Sequence, residues 1–232
     1  MRRREPKGLN FLPAILVVQH NASISGFLHR SEVPDMTSRT NAGLWAGHFF
    51  RSLKVIKYPA DPWEDSQWTQ FVGKVVADVA KNTGCYAAMR RKKISKDEYS
   101  GEYLNIDAIF FDLESYDLPN VPDNWDPFVL PRVVVELENS YAPNKIAYCL
   151  WKLLCGRSPL RVLICYQKGQ DKVQGLREHL TDIIVKGRLA KEDKGQLLVL
   201  IGDDSVGEDV SWEDYYMVFE WKDGRLAAVT VR

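Results

Sequence analysis

The chain lacks several features that would place it in a class at once. Its 31 basic residues equal its 31 acidic residues, so the formal net charge is zero. That balance argues against a protein that coats nucleic acid through overall charge, although it is compatible with a local basic groove. The four histidines, His20, His29, His48 and His179, have no spacing typical of a metal site or a catalytic triad.

Cysteines and long apolar runs are also scarce. None of the four cysteines, Cys85, Cys149, Cys155 and Cys165, belongs to a CxxC pair, so we expect neither zinc nor disulfides but reduced core thiols in a cytoplasmic protein. No apolar run approaches the length needed to cross a membrane. The basic start MRRREPKG and the short apolar run after it are interpreted as a tail and a first strand, because Pro13 interrupts the run.

The chain divides into an extension and one domain. Residues 1–60 are expected to pack on the core as an extension with short strands, predicted at 11–19 and 52–58. Residues 61–232 are expected to form a single domain. It opens with a helix over 61–84, in which Asp61 suits the N-cap, Pro62 the first helical position and Gly84 the residue after the last turn.

The rest of the chain alternates apolar strands with amphipathic helices. The predicted strands are 85–94, 102–112, 132–140, 160–167 and 196–202, and the predicted helices are 143–156 and about 171–190. A C-terminal β-hairpin is expected over 215–231, because Asp-Gly separates two alternating runs. A strand-helix-strand unit with nearly continuous apolar strands indicates an α/β fold with a mixed central sheet flanked by helices.

The stretch RVVVELENS carries two carboxylates in an otherwise apolar strand. Glu136 and Glu138 share one face, about 7 Å apart, because strand side chains alternate. Asp107, on the preceding strand, can approach them across the ladder if the two strands are neighbours. Three semi-buried carboxylates repel one another, and oxygen ligands suit Mg²⁺ or Mn²⁺. Two alternatives stay open here: a solvated strand face, and an acid pair at the sheet rim without metal.

Four stretches in this order, LNIDAIFFD, VVVELEN, KIAYCLWKLL and LRVLICY, resemble the PD-(D/E)xK, or restriction-endonuclease-like, superfamily over about residues 61–167. The resemblance implies an αβββαβ core and a Mg²⁺-dependent nuclease that hydrolyses phosphodiesters, with DNA as the expected substrate. It assigns the metal-binding aspartate to Asp107 and the (D/E)xK motif to residues 136–138. An acid on the first core helix often joins such sites, and Glu64 is the best match here.

The chain departs from the motif at one position, where Glu138 replaces the usual lysine. Some members of the superfamily use ExE, and in others the lysine has moved to the following helix. Lys145 and Lys152 are candidates for that moved lysine, because seven residues place them on one helical face. Other members have lost catalysis and bind nucleic acid or a protein partner, which is the alternative expectation. A homodimer is compatible with either expectation, and no membrane association is expected.

Charged loops suggest where a substrate would lie. The basic run MRRKKISK, residues 89–96, is a candidate for contacts with a nucleic-acid backbone. The acidic loop IGDDSVGEDVSWED, residues 201–214, predicts that its side of the molecule faces away from DNA.

Overall fold

A seven-stranded mixed sheet forms the centre of the structure. The computed structural model describes residues 41–58, 65–89, 106–112, 130–187, 195–207 and 210–231. The helices are α1 (Ala42–Val55), α2 (Asp65–Asn82), α3 (Pro143–Cys155), α4 (Gln170–Lys186) and the short α5 (Trp212–Tyr215). The strands are β1 (Cys85–Met89), β2 (Ala108–Asp112), β3 (Val133–Glu138), β4 (Leu160–Gln167), β5 (Gln196–Asp203), β6 (Tyr216–Lys222) and β7 (Arg225–Ala228). The α/β class and the mixed sheet are therefore as predicted.

The strands lie in the sheet in the order in which they occur in the chain. Strands β3, β4 and β5 are parallel, and the pairs on either side of them are antiparallel. Helices α1 and α2 pack on one face and α3 and α4 on the other. Because side chains alternate along a strand, Val133 and Val135 face α1 and α2, whereas Val134 faces α3 and α4. Glu136 follows the alternation of Val134 and lies on the α3 side.

The strand predicted over residues 52–58 is wrong, because residues up to Val55 form the last turns of α1. The Asn41 side chain caps this helix by accepting a hydrogen bond from the Leu44 backbone N–H at 3.1 Å. The buried residues repeat every three to four positions, which is the helical period: Ala42, Trp45, Ala46, Phe49, Phe50 and Leu53. The extension thus contributes a core helix, and the strand predicted over residues 11–19 lies outside the described part.

Most other predicted elements are confirmed within the described residues. Helix α3 ends before Gly156 as predicted, and β4 has its predicted limits. Gly84 follows α2 with a left-handed φ of 69°, while the predicted helix start at residues 61–64 lies outside the described part. In the hairpin, Asp223 and Gly224 have φ values of 52° and 77°, as a primed two-residue turn requires.

Two smaller expectations concern cysteines and membranes. Cys85, Cys149 and Cys165 are buried free thiols, but Cys155 is exposed at the end of α3, so its assignment to the core is wrong. The buried residues of α3 recur about one helical turn apart on its apolar face. Cys155 is not among them and lies on the solvent side of the helix. Within the residues described, no helix is long and apolar enough to cross a membrane.

Candidate active site

Asp107 and Glu136 lie opposite each other on neighbouring strands. Strands β2 and β3 are antiparallel, with Ala108 opposite Val135, and one further step of this register brings Asp107 opposite Glu136. The backbone N–H of Leu137 donates a hydrogen bond of 2.9 Å to Asp107 Oδ2. This contact holds the aspartate against β3, so Asp107 approaches Glu136 across the ladder as predicted. The predicted cluster of three carboxylates, with Glu138 as the third, is not present among the described residues.

Glu136 is almost fully buried, with 1% of its surface exposed. Its Oε2 accepts a hydrogen bond of 2.7 Å from the Lys152 ammonium. Its Oε1 is also buried and has no hydrogen-bond partner among the described residues. A buried carboxylate oxygen without a donor is unfavourable. A ligand at this oxygen would therefore relieve an unsatisfied group.

The electrostatics of the pair follow from its burial. The pKa of Glu136 is raised from its ordinary 4.5 to about 7. Desolvation is the largest cause, the nearby Asp107 charge adds to it, and Lys152 opposes both effects. For Lys152, burial lowers the pKa, but the hydrogen bond and the attraction to Glu136 outweigh it, so the net change is upward. Lys152 is therefore a cation at neutral pH, next to a carboxyl group that titrates near neutrality.

Helix α3 brings only one of the two candidate lysines to the acids. Ile146, Leu150 and Leu153 anchor the helix on the sheet. Lys152, whose side chain is 14% exposed, reaches Glu136 from this helix. Lys145 is exposed at the opposite end, two turns earlier. The chain reverses direction between β3 and α3. Lys152, which is farther from β3 in the sequence than Lys145, therefore lies beside Glu136 in the middle of the strand.

Glu138 occupies a different environment from Glu136. Its Oε1 accepts a hydrogen bond of 2.8 Å from the Ser140 backbone N–H, and its Oε2 lies 3.7 Å from Cys149 Sγ. Burial, followed by the charge of Glu136, raises the pKa of the Cys149 thiol, so this thiol keeps its proton and donates to Glu138. Glu138 is therefore held towards the connection between β3 and α3, while Glu136 is held by the helix lysine.

The donor set fits a hard cation with few protein ligands. Within the described ranges, no group of three or more histidine, cysteine, aspartate or glutamate side chains is placed to hold a metal, and the predicted Glu64 lies outside those ranges. Asp107 and the unsatisfied Oε1 of Glu136 provide two carboxylates side by side. Mg²⁺ commonly takes one or two carboxylates and completes its octahedron with water and substrate oxygens. The residues present thus fit Mg²⁺ or Mn²⁺ better than zinc.

The acidic loop begins next to the residues that follow β3. Tyr141, three residues after Glu138, donates a hydrogen bond of 2.7 Å from its hydroxyl to Asp204 Oδ2. The Gln167 side chain also donates to the Tyr141 carbonyl, at 2.8 Å. The start of the loop therefore adjoins the end of β3, while the expectation that its side of the molecule faces away from DNA stays a prediction. The loop and the end of β3 adjoin because the carboxyl ends of parallel strands meet at one sheet edge.

A cavity of about 510 Å³ opens at the same edge, on the side of α1 and α2. Aromatic rings, including Trp68 and Trp212, line it together with Asn139 and Asp204. Sequence reasoning did not find this cavity, and the only available signal was the aromatic residues spread over distant segments. Of the predicted basic run, Met89 ends β1 and residues 90–96 lie outside the described part.

Comparisons with protein-family models, with curated proteins and with solved structures find no match to this chain. The assignment of a function therefore depends on the geometry of the site.

Proposed function

We propose that the protein is a metal-dependent nuclease with a restriction-endonuclease-like core, which hydrolyses phosphodiester bonds in DNA. The order α2, β1, β2, β3, α3, β4 has the αβββαβ pattern of the PD-(D/E)xK superfamily. The single observation that carries the proposal is the contact between Lys152 and Glu136, with Asp107 opposite Glu136. A lysine from the following helix thereby occupies the neighbourhood that the motif lysine would occupy.

Each residue has a role in this proposal. Asp107 and Glu136 Oε1 would hold a Mg²⁺ or Mn²⁺ ion, which when bound polarises a phosphoryl oxygen and lowers the pKa of a water ligand. The Lys152 ammonium orients Glu136 and supplies a positive charge to the phosphate as negative charge develops on its oxygens. Glu138, two residues after Glu136 on the same strand, is assigned the acceptance of a proton from the attacking water.

Cleavage assays with matched lysine variants test the proposal. With Mn²⁺ or Mg²⁺, the protein should nick plasmid or degrade single-stranded DNA. Lys152→Ala should lower the rate by about 100-fold, the size typical of losing one preorganised charge donor. Lys145→Ala, which changes an exposed lysine of the same helix, should cleave at the parental rate. Parental cleavage by Lys152→Ala would exclude the assigned role of this lysine.

A second function, binding without cleavage, has its own supporting observation. Lys152 already neutralises Glu136 within the chain, so the buried carboxylate does not require a metal for charge balance. Glu138 in place of the motif lysine agrees with such a degenerate nuclease fold. Binding of DNA or RNA with no cleavage in either metal would favour this function over the first.

A further inference from the structure

Two aromatic side chains of α3 lie exposed beside the candidate active site. Tyr148 and Trp151 keep 58% and 48% of their surface accessible. Their ring centroids are 5.9 Å apart with an interplanar angle of 19°, so the rings are nearly parallel. Trp45 and Phe49 of α1 are buried, and the other exposed aromatic side chains of the described residues, Tyr58, Tyr86 and Tyr141, keep a smaller fraction of their surface accessible, 41%, 44% and 40%. A neighbouring pair of exposed aromatic rings on one helix points to a contact with another molecule.

The aromatic pair is continuous with the site through Lys152. The Lys152 ammonium lies 5.6 Å from the centroid of the Tyr148 ring, and the same nitrogen donates to Glu136. Tyr148 precedes Lys152 by one helical turn, about 5.4 Å along the axis. The Lys152 ammonium thus lies beside the aromatic pair on α3.

We propose that Tyr148 and Trp151 stack on unpaired bases, and that the site consequently takes single-stranded nucleic acid. This inference rests on the proposed function, because it supplies the substrate class of the same site. Base faces are accessible in a single strand but are covered by neighbouring pairs in a duplex. Neighbouring aromatic rings with a cation beside them match the stacked bases and the phosphates of a single strand. Stacking also suits a chain without net charge, since overall electrostatic attraction to phosphates is weak here.

Fluorescence anisotropy with short labelled oligonucleotides tests the inference. The probes are single-stranded dT12, an abasic strand of equal length and charge, and a blunt duplex, all in EDTA so that no strand is cut. The parental protein should bind dT12 more tightly than the abasic strand. Trp151→Ala and Tyr148→Ala should weaken dT12 binding by at least about 10-fold, within the range of base–aromatic stacking. Binding of the abasic strand should stay unchanged.

Conservative and distant variants separate stacking from folding effects. Trp151→Phe and Tyr148→Phe keep an aromatic ring and should retain most of the affinity for dT12. Leu44→Ala removes an equally exposed apolar side chain from α1, on the other face of the sheet, and should have no effect. Circular dichroism and unfolding curves identify any variant that loses its fold, and the phenylalanine pair then carries the test.

The outcomes for the inference and for the proposed function are distinct. Equal binding of dT12 and the abasic strand by the parental protein, or no binding of either, overturns the inference. Unchanged dT12 affinity in the alanine variants, accompanied by loss of a dimer in sedimentation, overturns it too and assigns the aromatic pair to contact between copies. Base-dependent binding without cleavage in Mn²⁺ supports the inference while refuting the nuclease function. Cleavage restricted to duplex DNA supports the nuclease function and overturns the inference.

Discussion

Glu136 should make the stability of the metal-free protein fall as the pH rises through neutrality. Burial and the neighbouring Asp107 raise its pKa from 4.5 to about 7 in the folded chain. A carboxyl group with a higher pKa in the folded state binds its proton more tightly there than in the unfolded state. The stabilisation is therefore complete below the unfolded pKa near 4.5 and is lost as the pH rises through the folded pKa near 7.

The magnitude follows from the difference between the two pKa values. One pKa unit corresponds to about 1.4 kcal/mol, so a change from 4.5 to about 7 corresponds to about 3 kcal/mol in total. Part of this loss occurs below pH 5, and about 2.5 kcal/mol remains between pH 5 and pH 8. Solvent screening reduces the effect little, because Glu136 is 1% exposed.

Urea unfolding at several pH values in EDTA measures this effect, with Glu136→Gln as the comparison. Glutamine keeps the shape of the side chain and an acceptor for Lys152 but does not titrate. Titration of the other groups largely cancels in the difference between the two proteins. Relative to the variant, the parental protein should lose about 2.5 kcal/mol of unfolding free energy from pH 5 to pH 8.

A second glutamine variant controls for the loss of one negative charge. Glu178→Gln changes a glutamate whose side chain is 73% exposed, and its stability should run parallel to that of the parental protein at every pH. A difference between the parental protein and Glu136→Gln that stays constant from pH 5 to pH 8 would refute the reasoning, since Glu136 would then have the same pKa in both states.

Three further predictions concern the metal, the lysines and the close packing of the sheet. Mg²⁺ at 100 times its dissociation constant should raise the unfolding free energy by about 2.7 kcal/mol; Asp107→Asn should abolish this increment, and an unchanged increment would remove Asp107 from the site. Lys152→Ala should lower the unfolding free energy by about 3 kcal/mol, because it leaves a buried carboxylate unpaired. Lys145→Ala should change it by less than about 0.5 kcal/mol. Equal effects of the two variants in urea unfolding would contradict the buried ion pair between Lys152 and Glu136. Gly202→Ala should lower the unfolding free energy by about 1–3 kcal/mol, because the added Cβ would lie 2.7 Å from two tyrosine rings. Gly175→Ala should instead stabilise α4 by up to about 1 kcal/mol, because its added Cβ meets no atom within 4 Å. Thermal unfolding of both variants checks this contrast.

Elements with local signals were predictable from the sequence. Pro143 at the start of α3 and the Asp223-Gly224 turn each mark a boundary through the conformations that their own backbones accept. Helix α1 was missed because residues 52–58, taken alone, suit a strand. Its helical period appears only when the chain is read from the Asn41 cap onwards, and packing on the sheet then decides in favour of the helix.

The carboxylates of the site were also predictable, because strand alternation and the pairing of consecutive strands are enough to bring Asp107 to Glu136. The choice between the lysines was not. Lys145 and Lys152 share a helical face, so sequence spacing treats them alike. Only the packing of α3 over β3 brings Lys152 within 2.7 Å of Glu136 and leaves Lys145 exposed.

Local sequence preferences specified the types of most elements other than α1, the shared face of the acids and the DG hairpin, since these depend on backbone preferences and on periods of two or 3.6 residues. Tertiary structure decided which lysine meets the acids, where the acidic loop lies and that α1 belongs to the core. The physical reason is that these outcomes depend on contacts between segments far apart in the chain, such as the bond from Tyr141 to Asp204. Local backbone preferences do not specify such contacts. They are specified by the packing of helices on both faces of the sheet, which buries both faces together.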